Sequence, residues 1–299
     1  MSNSVVIPRV GIGMPVYNGE RYLEETLTAT LAQTYEDFEL IIADNASTDK
    51  TEQICKDFAS QDSRIRYIRN PINLGASKNY TVCFEPSKSE YFRWANADDL
   101  PAPDLIEKCI SVLDEHPDTV LAYGKTKIID ENGKLLDHYD DNLDLQHQQA
   151  AARFVQCLDN IGLSNILYGL VRRDSLAHTA LMGNYIASDI NLIAELTLYG
   201  KYREIPDYLF SRRMHPDCSS WDRADEERQK NFWDPSKQKL LMQTWRTMFE
   251  YFKAVYRAPI SASDKQKLTY YLCKKMYRRK GKMMQDLHHM VKYKLNKTQ

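Results

Sequence analysis

Residues 91–100 read Tyr-Phe-Arg-Trp-Ala-Asn-Ala-Asp-Asp-Leu, and this stretch decides the fold. Its apolar and aromatic start predicts a buried strand, and Pro101 ends that strand because proline has no N–H to donate. Two adjacent carboxylates, Asp98 and Asp99, therefore lie where the strand runs out into a loop. In an open α/β sheet ligands bind at this edge, and Mg²⁺ is held by one or two carboxylates plus substrate phosphates. We hypothesise a metal-assisted site for a phosphorylated ligand, although an isolated Asp-Asp pair is more often a solvated turn.

The residues before this stretch alternate between apolar strands and amphipathic helices. Strands are predicted at 10–16, 38–43, 65–69 and 91–95, and helices at 22–33, 50–59 and 77–84. This order is typical of an α/β fold with a doubly wound, mostly parallel sheet flanked by helices. Right-handed crossovers place the carboxyl ends of all these strands at one edge. We therefore expect four polar segments to meet there, at residues 15–18, 44–49, 70–75 and 96–99.

A dinucleotide-binding Rossmann domain is the rival interpretation. It requires Gly-x-Gly-x-x-Gly after the first strand, so that the backbone can approach a pyrophosphate. Here Gly11 and Gly13 lie within the strand, and Val16 stands in the place of the third glycine. A Walker A loop is also absent from the sequence. The sequence therefore disfavours NAD binding.

Four motifs carry a resemblance to a known family. They are Met-Pro-Val-Tyr-Asn at 14–18, Asp-Asn-Ala-Ser-Thr-Asp at 44–49, Asn-Leu-Gly at 73–75 and Asn-Ala-Asp-Asp at 96–99. In this order they resemble a family 2 glycosyltransferase of the GT-A fold, and the resemblance continues more weakly to Ser220. It implies inverting transfer of a sugar from a nucleoside-diphosphate sugar to an acceptor hydroxyl, with Mn²⁺ or Mg²⁺ as cofactor. It also implies a glycan or lipid-linked acceptor and a role in bacterial surface glycan synthesis.

The resemblance implies a set of residues that contact the nucleotide-sugar. They are Pro15, Tyr17, Asn18, Asp44, Asn45, Lys78, Asn96, Asp98, Arg212 and Arg213. Pro15 and Tyr17 are expected to line the base, and Asp44 to hydrogen-bond it. Because Asp44 suits the N3–H of uracil or thymine, UDP or dTDP is favoured, although guanine also offers donors. Lys78 stands where many members have an arginine near the phosphate, and Asn96 replaces the aspartate that is common in the family.

The same resemblance implies the metal ligands and the groups around the diphosphate. Asp99 is the best candidate ligand, and His215 is a second one, although a lone histidine is more often a packing residue. Asp98 is expected at the ribose or the sugar. Arg212 and Arg213 could offset the charge that develops on the leaving diphosphate, and one of the two could be purely structural.

Asp189 is the candidate catalytic base. Leu192, Leu196 and Tyr199 follow it at helical spacing, so Asp189 falls in the first turn of an amphipathic helix. An isolated acid at this position is more often favoured by the helix dipole alone. The family usually places its base here as Glu-Asp, and Ser188 reduces the pair to one carboxylate. A single base suffices for inversion.

The chain divides into a GT-A domain at residues 1–220 and an extension at residues 221–299. We expect a nucleotide-binding half at 1–105, an acceptor half at 106–220, and a flap around Trp221 that is followed by basic helices. From Lys265 to Lys297 there are 11 Lys/Arg against one acid, Asp286, which gives +10 and leaves −1 − 10 = −11 elsewhere. Such basic amphipathic helices can lie on anionic lipid, pack on the acidic body or form a homodimer.

Composition indicates a globular protein of the cytoplasm. The hydrophobic fraction of 43% over 299 residues supports a sizeable core, and the apolar runs are too short to cross a bilayer. Six scattered cysteines without a Cys-x-x-Cys pair favour reduced thiols. We expect no signal peptide and no nucleic-acid partner, with peripheral contact at the inner face of the membrane as one use of the basic helices. A non-catalytic nucleotide-sugar or glycan-binding module is the alternative, because Asn96 and Ser188 each remove an acid.

Overall fold

The computed structural model describes residues 7–218, 225–237 and 241–297. Its strands β1–β9 are Val10–Val16, Phe38–Asp44, Ile65–Arg69, Tyr91–Trp94, Leu100–Pro101, Thr119–Ile129, Leu135–Tyr139, Leu170–Arg172 and Lys201–Arg213. Its helices α1–α11 are Leu23–Leu31, Thr51–Gln61, Ala76–Phe84, Leu105–Glu115, Ala150–Asn160, Arg173–Ala177, Ser188–Leu196, Glu226–Trp233, Gln243–Arg257, Ala262–Arg278 and Lys280–Lys297. A 3₁₀ turn covers Asn165–Tyr168.

All the strands belong to one sheet, whose path runs β3-β2-β1-β4-β8-β6-β9-β5, with β7 paired to β6. Strands β1–β4 pair in parallel, as the sequence predicts, and β6 runs parallel to β9 along its whole length. The antiparallel ladders that involve β5, β7 and β8 are short, with two to four residue pairs each. The predicted α/β fold with a mostly parallel sheet and helical C-terminal region is therefore confirmed.

The glycines of the first strand serve packing. A Cβ at Gly13 would lie 2.7 Å from Cys83 Cβ on α3 and 2.7 Å from the ring of Phe92 on β4. Real Cβ atoms do not approach so closely, so glycine at this position lets α3 lie directly on the sheet. The close contact fixes α3 beside the carboxyl end of β1, where the predicted ligand site lies.

Several predictions for the second half are wrong in detail. The sequence predicts two short strands at residues 121–123 and 126–129 and a loop at 134–150. Instead a single strand, Thr119–Ile129, covers both segments, and β7 forms within the expected loop. The sequence also predicts a helix from Lys237, whereas the helix begins at Gln243, and residues 238–240 lie outside the described part of the chain. Within the expected flap, α8 is a helix, whereas Trp221 is not among the described residues.

The C-terminal helices share an apolar core with helix α7. Met248 and Val255 of α9 are buried in the same apolar cluster as Leu268 of α10 and Leu192 of α7. The boundary at residue 220 thus stays a prediction, and the helices beyond it pack as part of the same body. None of the helices in residues 7–218, 225–237 and 241–297 has the length and apolar character needed to span a bilayer.

Asp141, after β7, is a buried carboxylate that lacks ordinary partners. Its side chain is 3% exposed, and neither oxygen has a hydrogen bond of normal length and geometry among the described residues. Burial raises the pKa of Asp141 to about 7, and the Asn165 backbone N–H and the Arg212 guanidinium offset this only in part. Because the folded state keeps a proton that the unfolded chain has lost, stability falls as pH rises between about 4 and about 7.

We predict that Asp141→Asn removes this pH dependence. The amide carries no charge, so at pH 8 the variant should be more stable than the parent by about 1–4 kcal/mol, with a smaller difference at pH 4. Urea unfolding at both pH values measures the effect. Asp137→Asn, at an exposed position on β7, is the matched control and should leave the profile unchanged. A parent and Asp141 variant with parallel profiles would contradict the prediction.

Candidate active site

A cavity of about 430 Å³ opens at the carboxyl ends of β1 and β4. The loops after these strands, the end of β9 and one face of α8 enclose it. Ten of the predicted site residues line it: Pro15, Tyr17, Asn18, Asn45, Asn96, Asp98, Asp99, Arg212, Arg213 and His215. Residues separated by up to 200 positions in sequence are thus brought to one cavity, as the sheet order requires.

Asp98 and His215 form a hydrogen-bonded pair on the cavity wall. His215 Nδ1 accepts the Asp217 backbone N–H at 3.3 Å, so the ring carries its proton on Nε2. That Nε2–H donates to Asp98 Oδ2 at 2.9 Å. The Asp98 side chain is 29% exposed, and among the described residues its second oxygen has no protein partner. Asp98 therefore presents a carboxylate oxygen to the cavity.

Asp99 has a different environment although it is the next residue. Its Oδ1 accepts the Arg213 backbone N–H at 2.8 Å, and its Oδ2 accepts Asn96 Nδ2 at 2.8 Å. The side chain is 3% exposed. Burial, and then the charge of Asp98, raise the pKa of Asp99 to about 7. Both oxygens of Asp99 are thus engaged within the protein, and its predicted role as the leading metal ligand stays a prediction.

Arg213 and Arg212 differ in the same way. The Arg213 guanidinium is 2% exposed and donates to the Asp98 carbonyl at 2.9 Å and to Glu25 Oε2 at 2.7 Å. Arg212 also lies on the cavity wall, where it donates to Asn165 Oδ1 at 2.7 Å. The roles of the two arginines beside a diphosphate stay predictions.

The strand β1 turn is held against the segment after β2. Asn18, with φ +50°, donates its backbone N–H to Ser47 Oγ at 2.9 Å and accepts the Thr48 N–H at 2.8 Å. Asn45 donates to Asn73 Oδ1 at 2.8 Å. These side-chain to backbone bonds fix the turn that carries Pro15 and Tyr17, the latter being half-exposed in the cavity mouth.

Asp44 and Lys78 are not among the residues that line the cavity. Asp44 is fully buried, and its oxygens accept Ser47 N–H at 2.8 Å, Tyr67 Oη–H at 2.7 Å and Arg69 Nη1 at 2.5 Å. Lys78 is exposed on α3. Neither side chain contributes to the cavity wall in this structure, and their contacts with base and phosphate stay predictions.

Asp189 lies in the first turn of α7, outside the cavity lining. Ala187, in the left-handed conformation, precedes the helix. Burial raises the pKa of Tyr80 well above its usual range, and the charges of Tyr168, Asp98 and Asp189 add to the effect. Tyr80 lines the cavity, so the charge of Asp189 acts on the pKa of one residue of the cavity wall.

Helix α9 holds the segment that leads into Asp189. Gln243 Oε1 accepts the Ile186 N–H at 3.0 Å, and Arg246 donates to the Asn184 carbonyl at 3.0 Å. Side chains of α9 thus bond to the backbone of the loop before α7. The start of α7 is therefore held by residues more than 50 positions further along the chain.

Helix α8 closes one side of the cavity, with Asn231 and Phe232 in the wall. Its approach requires Gly75, which has φ +81° and where a Cβ would lie 2.7 Å from the Trp233 carbonyl oxygen. The predicted flap over residues 217–236 therefore contributes side chains to the site.

Sequence reasoning missed Asn79, Tyr80 and Tyr168. Asn79 Nδ2 donates to the Ala43 carbonyl at 2.7 Å, and Tyr80 Oη–H donates to Asn96 Oδ1 at 2.9 Å. The helical period of residues 77–84 places Asn79 and Tyr80 on the buried face of the helix, so the sequence could have indicated them as site residues. Tyr168 comes from a 3₁₀ turn that has no periodic pattern, so nothing in the sequence marks it.

The residues present fit a divalent cation that shares its ligands with a substrate. Within residues 7–218, 225–237 and 241–297, no group of three or more His, Cys, Asp or Glu side chains could hold a metal ion alone. Mg²⁺ commonly takes one or two carboxylates and completes its shell with waters and phosphate oxygens. Asp98 offers one such oxygen at the cavity, so a metal would be held there together with a ligand.

Two solved structures show the same fold. A Staphylococcus aureus TarS fragment in complex with UDP-GlcNAc gives a TM-score of 0.65 at 16% identity, covering 90% of this chain and 73% of that one. The Pyrobaculum calidifontis mannosyltransferase PcManGT, in complex with GDP-Man and Mn²⁺, gives 0.54 at 14% identity, covering 90% and 70%. At these identities the likeness establishes the GT-A fold.

Curated relatives in sequence match less than half of the chain. An uncharacterized glycosyltransferase of Rickettsia bellii is 35% identical over 139 residues, which are 45% of this chain and 19% of the relative. One of Methanocaldococcus jannaschii is 33% identical over 134 residues, which are 44% and 46%. The chain thus spans less than half the length of these relatives. The model of Glycosyl transferase family 2 matches residues 12–168, more than half of the chain, and the chain belongs to that family.

Proposed function

We propose that this protein transfers a sugar from a nucleoside-diphosphate sugar to an acceptor hydroxyl with inversion. The observation that carries the proposal is a cavity in which the open carboxylate oxygen of Asp98, the cation Arg212 and the β1 turn lie together. The negative charge of a diphosphate is stabilised by cations or a metal beside it. The nucleobase could lie against the turn at Pro15–Asn18. The family membership and the folds of TarS and the mannosyltransferase support the same activity.

The nucleobase end is proposed at the β1 turn and the diphosphate end at Asp98. Tyr17 is half-exposed at the mouth and offers a ring for stacking, while Asn18 and Asn45 supply amide groups beside it. The two neighbours bind UDP-GlcNAc and GDP-Man, so both uracil and guanine are represented among proteins of this fold. We favour UDP or dTDP, and the nucleotide panel described below decides between them and GDP.

We propose that Mn²⁺ or Mg²⁺ accompanies the donor. Asp98 would hold the ion, and His215 would keep the carboxylate in place through its Nε2–H bond. When bound, such an ion acts as a Lewis acid that stabilises negative charge on the diphosphate. Arg212 adds a fixed cation at the same end of the cavity, which favours the charge that develops as the sugar–oxygen bond breaks.

Asp189 is proposed as the base that takes the proton from the acceptor hydroxyl. The acceptor oxygen then forms a bond to the anomeric carbon while the bond to the diphosphate oxygen breaks, which inverts that centre. Helix α9 holds the loop that leads into the first turn of α7, where Asp189 lies, which supports a fixed position for the start of this helix. The acceptor is proposed to be a glycan or a lipid-linked sugar, in bacterial surface glycan synthesis.

A non-catalytic binding module is the second candidate. Asn96 and Ser188 motivate it, since each stands where the family commonly has an acid. In this structure Asn96 donates to Asp99 Oδ2, which a carboxylate could not do at neutral pH unless it were protonated. Donor hydrolysis with water as acceptor separates the two candidates, because a module that only binds releases no nucleoside diphosphate.

The first experiment is thermal unfolding with UDP, dTDP, GDP and CMP, each with and without Mn²⁺. A ligand at about 100 times its Kd stabilises the folded state by about 2.7 kcal/mol, which gives a clear rise in Tm. We expect the rise with one diphosphate and only in the presence of Mn²⁺. A flat panel would argue against a donor site at this cavity.

We predict that Asp98→Ala abolishes the Mn²⁺-dependent part of the Tm rise. The substitution removes the carboxylate oxygen that faces the cavity, so the ion and the diphosphate lose their shared ligand. Asp137→Ala, on exposed β7, is the control and should keep the full rise. An undiminished Mn²⁺ effect in the Asp98 variant would move the metal to other residues.

We predict that Asp189→Asn keeps donor binding and lowers kcat by about 10²–10⁴-fold, the usual contribution of a positioned general base. Binding is read from the same Tm rise and transfer from release of the nucleoside diphosphate. Asp174→Asn is the matched control, because Asp174 also lies in the first turn of a helix but is exposed. Full turnover by the Asp189 variant would show that the base lies elsewhere.

A further inference from the structure

The outer side of α10 and α11 carries large side chains that are half-exposed or more. Tyr270, Tyr277, Met284 and Val291 are 67%, 69%, 63% and 50% exposed, and they recur every seven residues. Leu295 is 63% exposed one helical turn after the last of them. Exposed apolar residues scattered singly are ordinary, but a regular series along two consecutive helices is not.

The seven-residue spacing places these side chains on one side of the helices. Seven residues make nearly two turns of an α-helix. Helical hydrogen bonds continue through the junction, from Arg279 N–H to the Lys275 carbonyl and from Met283 N–H to the Arg279 carbonyl, both at 3.1 Å. Tyr270 and Tyr277 line a common surface depression. The opposite side of the helices is packed, since Leu268 and Leu272 are fully buried and Met283 is nearly so.

Cations flank this row of side chains. The exposed ones are Lys267, Lys274, Arg278, Lys280, Lys292 and Lys294. Lys274 Nζ lies 5.4 Å from the centre of the Tyr270 ring, and Lys280 Nζ lies 4.3 Å from that of Tyr277. The only acid after Asp264, Asp286, is turned inward and accepts the Thr244 N–H at 2.7 Å. We call the exposed row and its cations the basic stripe.

We propose that the basic stripe binds the surface of a bilayer that contains anionic lipid. Lys and Arg near a membrane gain from the negative surface potential of anionic lipid headgroups. Tyr rings settle at the headgroup level, and Met, Val and Leu gain by leaving water for the acyl boundary. The lysine stems can lie along this apolar surface while their ammonium groups reach the headgroups.

Charge argues against a second copy of the chain as the occupant. Two basic stripes packed face to face would bring together two surfaces of the same sign, with no acid of the stripe to offset them. Apolar content argues against nucleic acid, because Met284, Val291 and Leu295 gain nothing from a phosphate backbone. A surface with both cations and apolar side chains fits a lipid headgroup layer.

The full chain offers its own probe for the test. Cys273 is the exposed cysteine of the six and lies between Tyr270 and Tyr277 in the same depression. A polarity-sensitive fluorophore on Cys273 should shift to the blue with phosphatidylcholine vesicles that contain about 30% phosphatidylglycerol, and not with pure phosphatidylcholine. Salt at about 0.5 M should reverse the shift, because it screens exposed charges. The readout does not involve sugar transfer, so it is independent of the proposed function.

Two double variants separate the contributions of charge and apolar contact. Lys274→Gln with Lys280→Gln should weaken vesicle binding in co-sedimentation by about thirtyfold, at about fivefold per cation. Lys88→Gln with Lys134→Gln, at exposed positions on the rest of the chain, is the matched control and should bind as the parent does. Tyr277→Gln with Met284→Gln should weaken binding and leave its salt dependence. Because all these side chains are exposed, Tm should not change.

Three results would overturn the proposal. Equal binding to both kinds of vesicle, or to neither, would remove the role of anionic lipid. An equal loss in the Lys88/Lys134 control would reduce the effect to net charge. A concentration-dependent dimer that the Tyr277/Met284 variant abolishes, without vesicle binding by the parent, would assign the basic stripe to a second copy.

Discussion

The architecture of the site depends on one buried contact between the loop after β4 and the end of β9. Arg213 donates its backbone N–H to the Asp99 carboxylate and its guanidinium to the Asp98 carbonyl, and it lies over the Tyr22 ring at 4.7 Å. Breaking a buried charged network by removing one partner typically costs about 3–5 kcal/mol. The contact joins the loop after β4 to the end of β9, so these two sides of the cavity keep a fixed separation.

This contact gives Asp98 and Asp99 different environments. Both oxygens of Asp99 accept hydrogen bonds, from Arg213 and Asn96, and these bonds hold the loop. Asp99 is therefore buried, and Asp98 is the carboxylate on the cavity side. His215 follows two residues after Arg213, just beyond the end of β9, and its Nε2–H bonds to Asp98. Two identical residues in sequence thus have different environments, and the more exposed one is available to a ligand. The difference arises because the backbone of β9 bonds to Asp99 and not to Asp98.

The sequence predicted the nucleotide half well because its signals are local. Each buried strand is a short apolar run, and each polar segment follows a strand end. The burial of Asp44 could not be predicted, because its partners Tyr67 and Arg69 come from the neighbouring strand and no local pattern indicates them. Neighbouring residues of a helix point about 100° apart, so Asn79 lies in the cavity wall while Lys78 is exposed. The contacts of Asp44 and Lys78 with a ligand stay predictions. In the second half, β7 reads Leu-Leu-Asp-His-Tyr and is exposed along almost its whole length, so its residues show no alternation of buried apolar and exposed polar side chains that periodicity could detect.

The C-terminal helices connect the start of α7 with the basic stripe, which are far apart in the sequence. Helix α9 packs its apolar face against the core that contains α7 and bonds to the loop before α7, while α10 packs on α9 and leaves its basic side outward. The start of the helix that carries Asp189 and the orientation of the basic stripe are therefore set by the same packed layer. The order of the helices thus fixes the residue proposed as the base relative to the surface proposed to meet the membrane.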